Sequence, residues 1–401
     1  MQLDFHYYAT YLAAYLAGWS HEESLAVCYS AQFVDCCSRT FLKAVKGPVA
    51  AATTQLQLEM MDAGTDLLSL QDITRIWASF HFLPKDLYAQ PGRTTRLYRS
   101  KYRLICGPCS DLVRDTVLLA KGRSPQAAGI AMHVLADTWA HRGFAGTPSL
   151  VINNTDSYFY ELTGEDGELK EKPIVFRHNP SAKDNPAQGI YVNTLPSPRE
   201  SSVMNLGHGR AGHLPDYSFM RYKYLPAWGN YEELVKDNPA EYMKAFCQMV
   251  YALRFLKEEY ETFSPDEFDS EKTDPYRDEI DRILRKRQTD ASEDWKEFAQ
   301  KITGREIPPF DLGLYRKAYT EAPQAEKDST APGRFFVAAM AQKSMVTRKI
   351  FRSGNLLAGV SIDFDKYGFS GIRDFYRLIE YIRNDSLPEE GQAADDKISE
   401  N

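Results

Sequence analysis

Ala131-Met132-His133-Val134-Leu135-Ala136-Asp137-Thr138-Trp139-Ala140-His141 sets three ionisable residues into an otherwise small or apolar run. His133, Asp137 and His141 follow one another at intervals of four. An α-helix turns about 100° per residue, so each interval drifts only about 40° and all three side chains share one face. Ile130, Met132, Val134, Leu135, Ala136, Trp139 and Ala140 surround them, which predicts a buried helix. Ionisable groups there are costly unless they are paired or metal-bound. Neutral imidazole and carboxylate are ligands that borderline divalent metals accept. A hydrogen-bonded His-Asp-His triad without metal is the alternative this helix leaves open by itself.

Outward from this stretch the pattern stays helical. Ser124-Pro125 opens the helix, with Ser as N-cap and Pro at the first position, and Gly143 stops it after Arg142. Upstream, residues 7–18 form an apolar, aromatic segment ending at Gly18. Ser20 and Glu23 make a capping box that opens a helix expected to run to about residue 45. Residues 54–80 read as helix in two pieces, and 108–121 as one more. The chain between 147 and 205 is rich in Asn, Asp, Gly and Pro, with β-like runs such as Ile174-Val175-Phe176. It reads as an irregular excursion holding one small hairpin. Helical pattern resumes at about 239–262, 275–303, 334–351 and 370–384, and a polar, acidic tail from Leu387 is expected to be disordered. The fold class is therefore mainly α, a multi-helix bundle with an irregular insertion. Residues 1–217 form a helical metal-binding core, 218–386 a helical region packed on it, and 387–401 the tail.

A net charge of −7 argues against a general nucleic-acid coat, which needs basic surface. No window of 18 residues is apolar and free of charge, so no membrane span is expected. The N-terminus lacks the basic region and apolar core of a signal peptide. The expected setting is cytoplasmic and reducing, with export by a leaderless route as the exception. Cys106-Gly-Pro-Cys109 has redox or zinc spacing but neither a second such pair nor a βαβ context, so structural thiols are expected. The oligomeric state is not legible.

Further candidate ligands lie in short, distinctive contexts. His6 stands in Asp4-Phe5-His6-Tyr7-Tyr8, and Asp35 ends the run Ala31-Gln32-Phe33-Val34. His81 stands in Phe80-His81-Phe82-Leu83-Pro84, just past a helix end. His208 and His213 share a Gly-bearing loop with Arg210 and Asp216, and His213 and Asp216 are near enough in sequence to share an ion. His21 and His178 fall in polar segments and are left out. Each of these residues alone is more often a core, cap or turn residue. Their joint placement at the ends and faces of helices is what points to one site.

The opening Asp4-Phe5-His6-Tyr7-Tyr8-Ala9-Thr10, with Gln32-Phe33-Val34-Asp35, Phe80-His81-Phe82-Leu83-Pro84 and His133-x3-Asp137-x3-His141-x-Gly143-Phe144, resembles an uncharacterised bacterial family. The ligand order is also similar, more distantly, to that of zinc-dependent phospholipase C and the related single-strand nucleases. Those are all-helical enzymes that hold three zinc ions. The resemblance implies a ligand set of His6, Asp35, His81, His133, Asp137, His141, His213 and Asp216, with His208 in addition. Two features differ. Those enzymes carry the second helix histidine two residues further along, and they use an N-terminal Trp amine and carbonyl as ligands. Met1 stands here instead, with Asp4 as the nearest substitute.

The resulting expectation is a metal-dependent hydrolase, most naturally a phosphoesterase using a metal-activated water. It would hold two or three divalent ions, zinc first, with manganese or iron also suited. Asp137 is the expected bridging carboxylate and Asp35 a ligand or general base. Arg210 and Arg142 are the candidate anion contacts. The substrate class is a small-molecule or lipid-like phosphate ester. A non-catalytic metal-binding or structural protein is the alternative. A His-Asp type phosphohydrolase is disfavoured because no His-Asp dipeptide occurs in the chain.

Overall fold

The computed structural model describes residues 1–56, 59, 67–87, 104–146, 155–164, 169–177, 183–193, 207–226, 232–257 and 260–353. The helix expected at 370–384, the tail from Leu387, and parts of 54–80 and 147–205 lie outside the described residues.

Helices dominate. A π-helical turn, Asp4–Ala9, continues into α1 (Thr10–Leu16). Then follow α2 (His21–Phe33), α3 (Arg39–Val45), α4 (Leu67–Phe80), α5 (Asp111–Ala120) and α6 (Pro125–Ala140). After the sheet region come α7 (Asn238–Leu256), α8 (Arg277–Arg285), α9 (Ser292–Thr303), α10 (Leu312–Thr320) and α11 (Ala331–Arg352).

Helix α6 is the axis of the bundle. Every residue from Gln126 to Ala140 is buried, as expected for a helix apolar on all sides. It packs against α2, α4, α5, α7 and α11. Gly129 permits the closest approach: a Cβ there would lie 2.3 Å from the Val27 carbonyl oxygen and 2.7 Å from Ser30 Cβ. The expected capping box forms, with Glu23 N donating to Ser20 Oγ and Ser20 N donating to Glu23 Oε2.

Helix α2 does not run to residue 45. It ends at Phe33, a turn follows, and Ser38 caps α3 by accepting from Phe41 N. The apolar run across 31–37 hides this break because Val34 and Cys37 are buried in the turn as fully as helix residues would be. Asp35 sits in the turn.

Beyond α6, β1 (Thr155–Thr163) and β2 (Lys170–Pro173) form the expected antiparallel hairpin. It is extended by β5 (Arg221–Pro226) and β6 (Leu234–Asp237) into a four-stranded sheet of order β2-β1-β5-β6. Short β3 (Phe176–Arg177) and β4 (Tyr191–Val192) pair in parallel. β5, β6 and α10 are elements the sequence reading did not find. One hydrophobic core joins the N-terminal helices to α7–α11, from Met1 to Ile350. A second cluster backs the sheet, with Phe82, Phe144, Phe159, Tyr222 and Tyr224 at its centre. The six cysteines are all free thiols. Among the described residues no helix is long and apolar enough to cross a membrane.

Candidate metal centre

Asp137 is the hub. Its Oδ2 lies 3.2 Å from His133 Nε2 and 3.3 Å from His81 Nδ1. Its Oδ1 lies 3.1 Å from His6 Nε2 and 2.9 Å from the Met1 amine. The helix face predicted from the spacing therefore exists, and four other segments converge on it. The π-helical turn delivers His6, the turn after α2 delivers Asp35, and the end of α4 delivers His81. The loop after β4 brings His208 and Asp216.

The hydrogen bonds on the far side of each ring fix which nitrogen faces inward. His133 Nδ1 meets the Ala31 carbonyl at 2.9 Å, and His81 Nε2 meets the Thr53 carbonyl at 3.0 Å. His141 Nδ1 meets the His81 carbonyl at 2.6 Å, and His208 Nδ1 meets the Gly212 carbonyl at 2.7 Å. A carbonyl oxygen only accepts, so each of these ring nitrogens carries the proton. In a neutral ring the other nitrogen is then a lone pair. This outer arrangement, with the second ring N–H donated to a carbonyl, is what metal-ligating histidines show.

The consequence is a cavity of acceptors. His133 Nε2 and His81 Nδ1 face each other at 3.3 Å, with Asp137 Oδ2 the same distance from His81. Three lone-pair donors this close repel unless a cation or proton lies among them. His6 adds to the case. Its ring is fully buried and stacked on His133 at 3.8 Å; Nδ1 has no partner, and Nε2 faces Asp137 Oδ1 at 3.1 Å without hydrogen-bond alignment.

Burial pushes the His6, His133 and His208 rings down to about 4, which keeps them neutral, as ligands must be. Burial alone would raise Asp137, but His141, the Met1 amine, His133 and His6 outweigh it and hold the carboxyl well below the usual range. Asp216 is likewise held low against burial, chiefly by the Met1 amine, with the His208 and His141 rings as further partners. Asp35 is pushed up, chiefly by burial.

Three groups have ligand atoms mutually close enough to hold an ion: His6, His133 and Asp137; Asp35, His81 and His133; and His141, His208 and Asp216. His133 has only Nε2 to give, so the first two groups share a donor and describe one cation position. The third describes a second position, where His141 Nε2 lies 3.3 Å from Asp216 Oδ1 and His208 Nε2 lies 3.6 Å from Asp216 Oδ2. The Met1 amine sits at the convergence, 3.1 Å from Asp216 Oδ1 and 3.5 Å from His141 Nε2.

The cluster opens to solvent at one edge. The side chain of Asp35 is 32% exposed and that of His208 is 21% exposed, whereas Asp137 is 1% exposed.

Not every predicted residue joins. His213 is half-exposed, and its Nδ1 meets Asp184 Oδ2 at 3.1 Å. Its Nδ1 is committed to Asp184, it belongs to none of the three metal groups, and His208 takes the place assigned to it. Arg142 donates to Glu241 and to the Val235 carbonyl, so its charge is already matched. Arg210 is half-buried on the loop just after His208. Asp4 accepts from Phe5 N and Ala291 N and belongs to none of the three metal groups. The Met1 amine was passed over: the resemblance pointed to an N-terminal amine, but Asp4 was set in its place. The orienting carbonyls of Ala31, Thr53, His81 and Gly212 were missed because a backbone group has no residue-type signature.

No curated protein matches the chain, and no solved structure does. Residues 1–350 match the family described as a family of unknown function, DUF6765.

Proposed function

This chain belongs to DUF6765, whose function is unknown, and from the geometry of its His-Asp cluster we propose that it is a metal-dependent hydrolase acting on phosphate esters. The observation that carries the reading is the set of inward-facing acceptors around Asp137, four of whose rings, His81, His133, His141 and His208, are each backed by a carbonyl. The arrangement would hold two cations. His6, His81, His133 and Asp35 serve the first, His141, His208 and Asp216 serve the second, and Asp137 stands between them. Zinc suits this nitrogen-rich set best, with manganese or iron as alternatives.

Divalent cations bound there supply an acidified water and neutralise charge on a phosphoryl oxygen. The residues do the rest. Asp137 keeps the two positions close and is shielded from water. Asp35, at the open edge and 3.8 Å from His81 Nδ1, orients the attacking water and accepts its proton. Arg210, two residues after His208, is the candidate phosphate contact on that loop. The net charge of −7 favours a small or lipid-like ester over long nucleic acid. The resemblance in ligand order to zinc-dependent phospholipase C and the single-strand nucleases supports the same class. Partial exposure of Asp35 and His208 favours a catalytic site over a closed structural one.

The test is elemental analysis of protein purified without a His-tag, alongside assays on generic phosphodiester and phosphomonoester substrates. Wild type is expected to carry about two metal equivalents and to turn over at least one ester class. His133→Ala and Asp137→Ala are expected to lose both properties. Equal and negligible metal in all three proteins overturns the metal reading. Bound metal without turnover on any ester favours the structural alternative.

A further inference from the structure

The segment Lys236–Tyr242, at the junction of β6 and α7, supplies no member of the metal groups, yet it grips both halves of the second one. Lys236 is fully buried, and its Nζ donates to the Trp139 carbonyl at 2.8 Å and to Glu241. Glu241 accepts from Arg142 Nε at 3.2 Å, and Arg142 Nη2 donates to the Val235 carbonyl at 2.8 Å. Residues 139 and 142 straddle His141. A lysine donating to a carbonyl in the last helical turn also suits the negative end of the α6 dipole.

The other face of the segment holds Asp216. The fully buried Asn238 donates Nδ2–H to the carbonyls of Leu214 and Tyr217, each at 2.8 Å, and also approaches the Pro215 carbonyl at 3.3 Å. Tyr242 OH donates to the same Pro215 carbonyl at 3.0 Å. Asn238 N donates to the Met220 carbonyl at 3.0 Å. Residues 214, 215 and 217 straddle Asp216 as 139 and 142 straddle His141. These two ligands come from elements 75 positions apart in sequence and meet at 3.3 Å.

We propose that Lys236, Asn238 and Glu241 are positioning residues that set the His141–Asp216 separation and thereby the affinity of the second cation position. The inference rests on the metal reading above. Metal–ligand distances tolerate only a few tenths of an ångström, so a bracket that fixes both backbones at once decides whether the position is formed before the ion arrives. Outer partners of this kind typically contribute about 10–100-fold in metal affinity. The first cation position is held by Ala31, Thr53 and Asp137, and the hydrogen bonds of Lys236, Asn238 and Glu241 run to other residues.

The experiment is a stepwise zinc titration of chelator-stripped full-length protein, followed by calorimetry and by competition with a chromophoric chelator. Wild type is expected to bind two equivalents. Lys236→Met and Asn238→Leu are expected to keep the first at wild-type affinity and to weaken the second about 10–100-fold. Lys236→Arg, which keeps the buried donor, is expected to recover part of the loss. Retention of the first equivalent reports that a variant is folded. Should Lys236→Met or Asn238→Leu not fold, Glu241→Gln keeps the shape of the bracket and decides the matter by the same readout. Variants that weaken both equivalents alike, or neither, overturn this inference and leave the metal reading standing. Wild type that takes up no zinc overturns both.

Discussion

His133 shows how one side chain is committed before any ion is considered. Its Nδ1–H is donated to the Ala31 carbonyl, so Nε2 must point its lone pair at Asp137 and His81. The same logic separates two histidines that the sequence treated alike. His208 donates Nδ1–H to Gly212 and turns Nε2 toward Asp216, whereas His213 spends its Nδ1 on Asp184 and stands half in solvent. His208→Ala is therefore expected to lose about one metal equivalent and His213→Ala none, as read by elemental analysis. Loss of metal in the His213 variant alone would reverse the assignment. The candidate ligands His6, Asp35, His81, His133, Asp137, His141, His208 and Asp216 were all legible as residue types in their sequence contexts. What the contexts could not separate was His208 from His213, because that choice depends on the path of a Gly-bearing loop. Gly212, at φ +53°, sets that path, and a Cβ there would lie 2.1 Å from the Val192 carbonyl oxygen.

At the scale of elements, the α2–α6 contact decides the geometry of the first cation position. Helix α2 carries the Ala31 carbonyl that orients His133, and the turn after it carries Asp35. Gly129 lets the two helices meet at backbone distance. Gly129→Ala places a methyl against backbone that cannot swing aside, and overpacking of this kind costs about 1–3 kcal/mol. It is expected to lower the unfolding free energy read from urea denaturation by that amount, moving the midpoint down, and to weaken the first zinc equivalent more than the second. An unchanged midpoint would mean that the helices separate without strain. The caps at Ser20 and the Ser124-Pro125 start of α6 were readable because they depend on neighbours within four residues. The break at 34–38 was not, because burial in a turn and burial in a helix leave the same apolar pattern. Strands β5 and β6 escaped for a related reason: they are short, and their pairing partners lie far away in the chain.

Over the whole molecule, the metal groups occupy the seam between the helical core and the sheet cluster. Phe82, of the sheet cluster, stacks on His141 at 4.6 Å, while His133 and Asp137 belong to the axis of the bundle. Arg287 ties the two bodies a second time, donating to Glu161 at 2.5 Å and to the Pro186 carbonyl while lying over Phe219. Ions bound at the seam thus act on both cores. A ligand at a hundredfold its dissociation constant stabilises the folded state by about 2.7 kcal/mol. Zinc is expected to raise the melting temperature of the stripped protein by several degrees, chelator to reverse the shift, and Asp137→Ala to show none. Identical melting curves with and without zinc would place the metal outside the folded core.

The linear chain alone determined that this protein is mainly helical and that the helix from Pro125 presents His133, Asp137 and His141 along one face. It also determined that more histidines and aspartates stood ready elsewhere. Both the period of the helix and the cost of burying charge are local quantities. Only the folded arrangement decided which of those residues meet, which nitrogen of each ring looks inward, and that Lys236 and Asn238 brace the second position. Carbonyl partners and loop paths are set by long-range packing, which no spacing along the chain records.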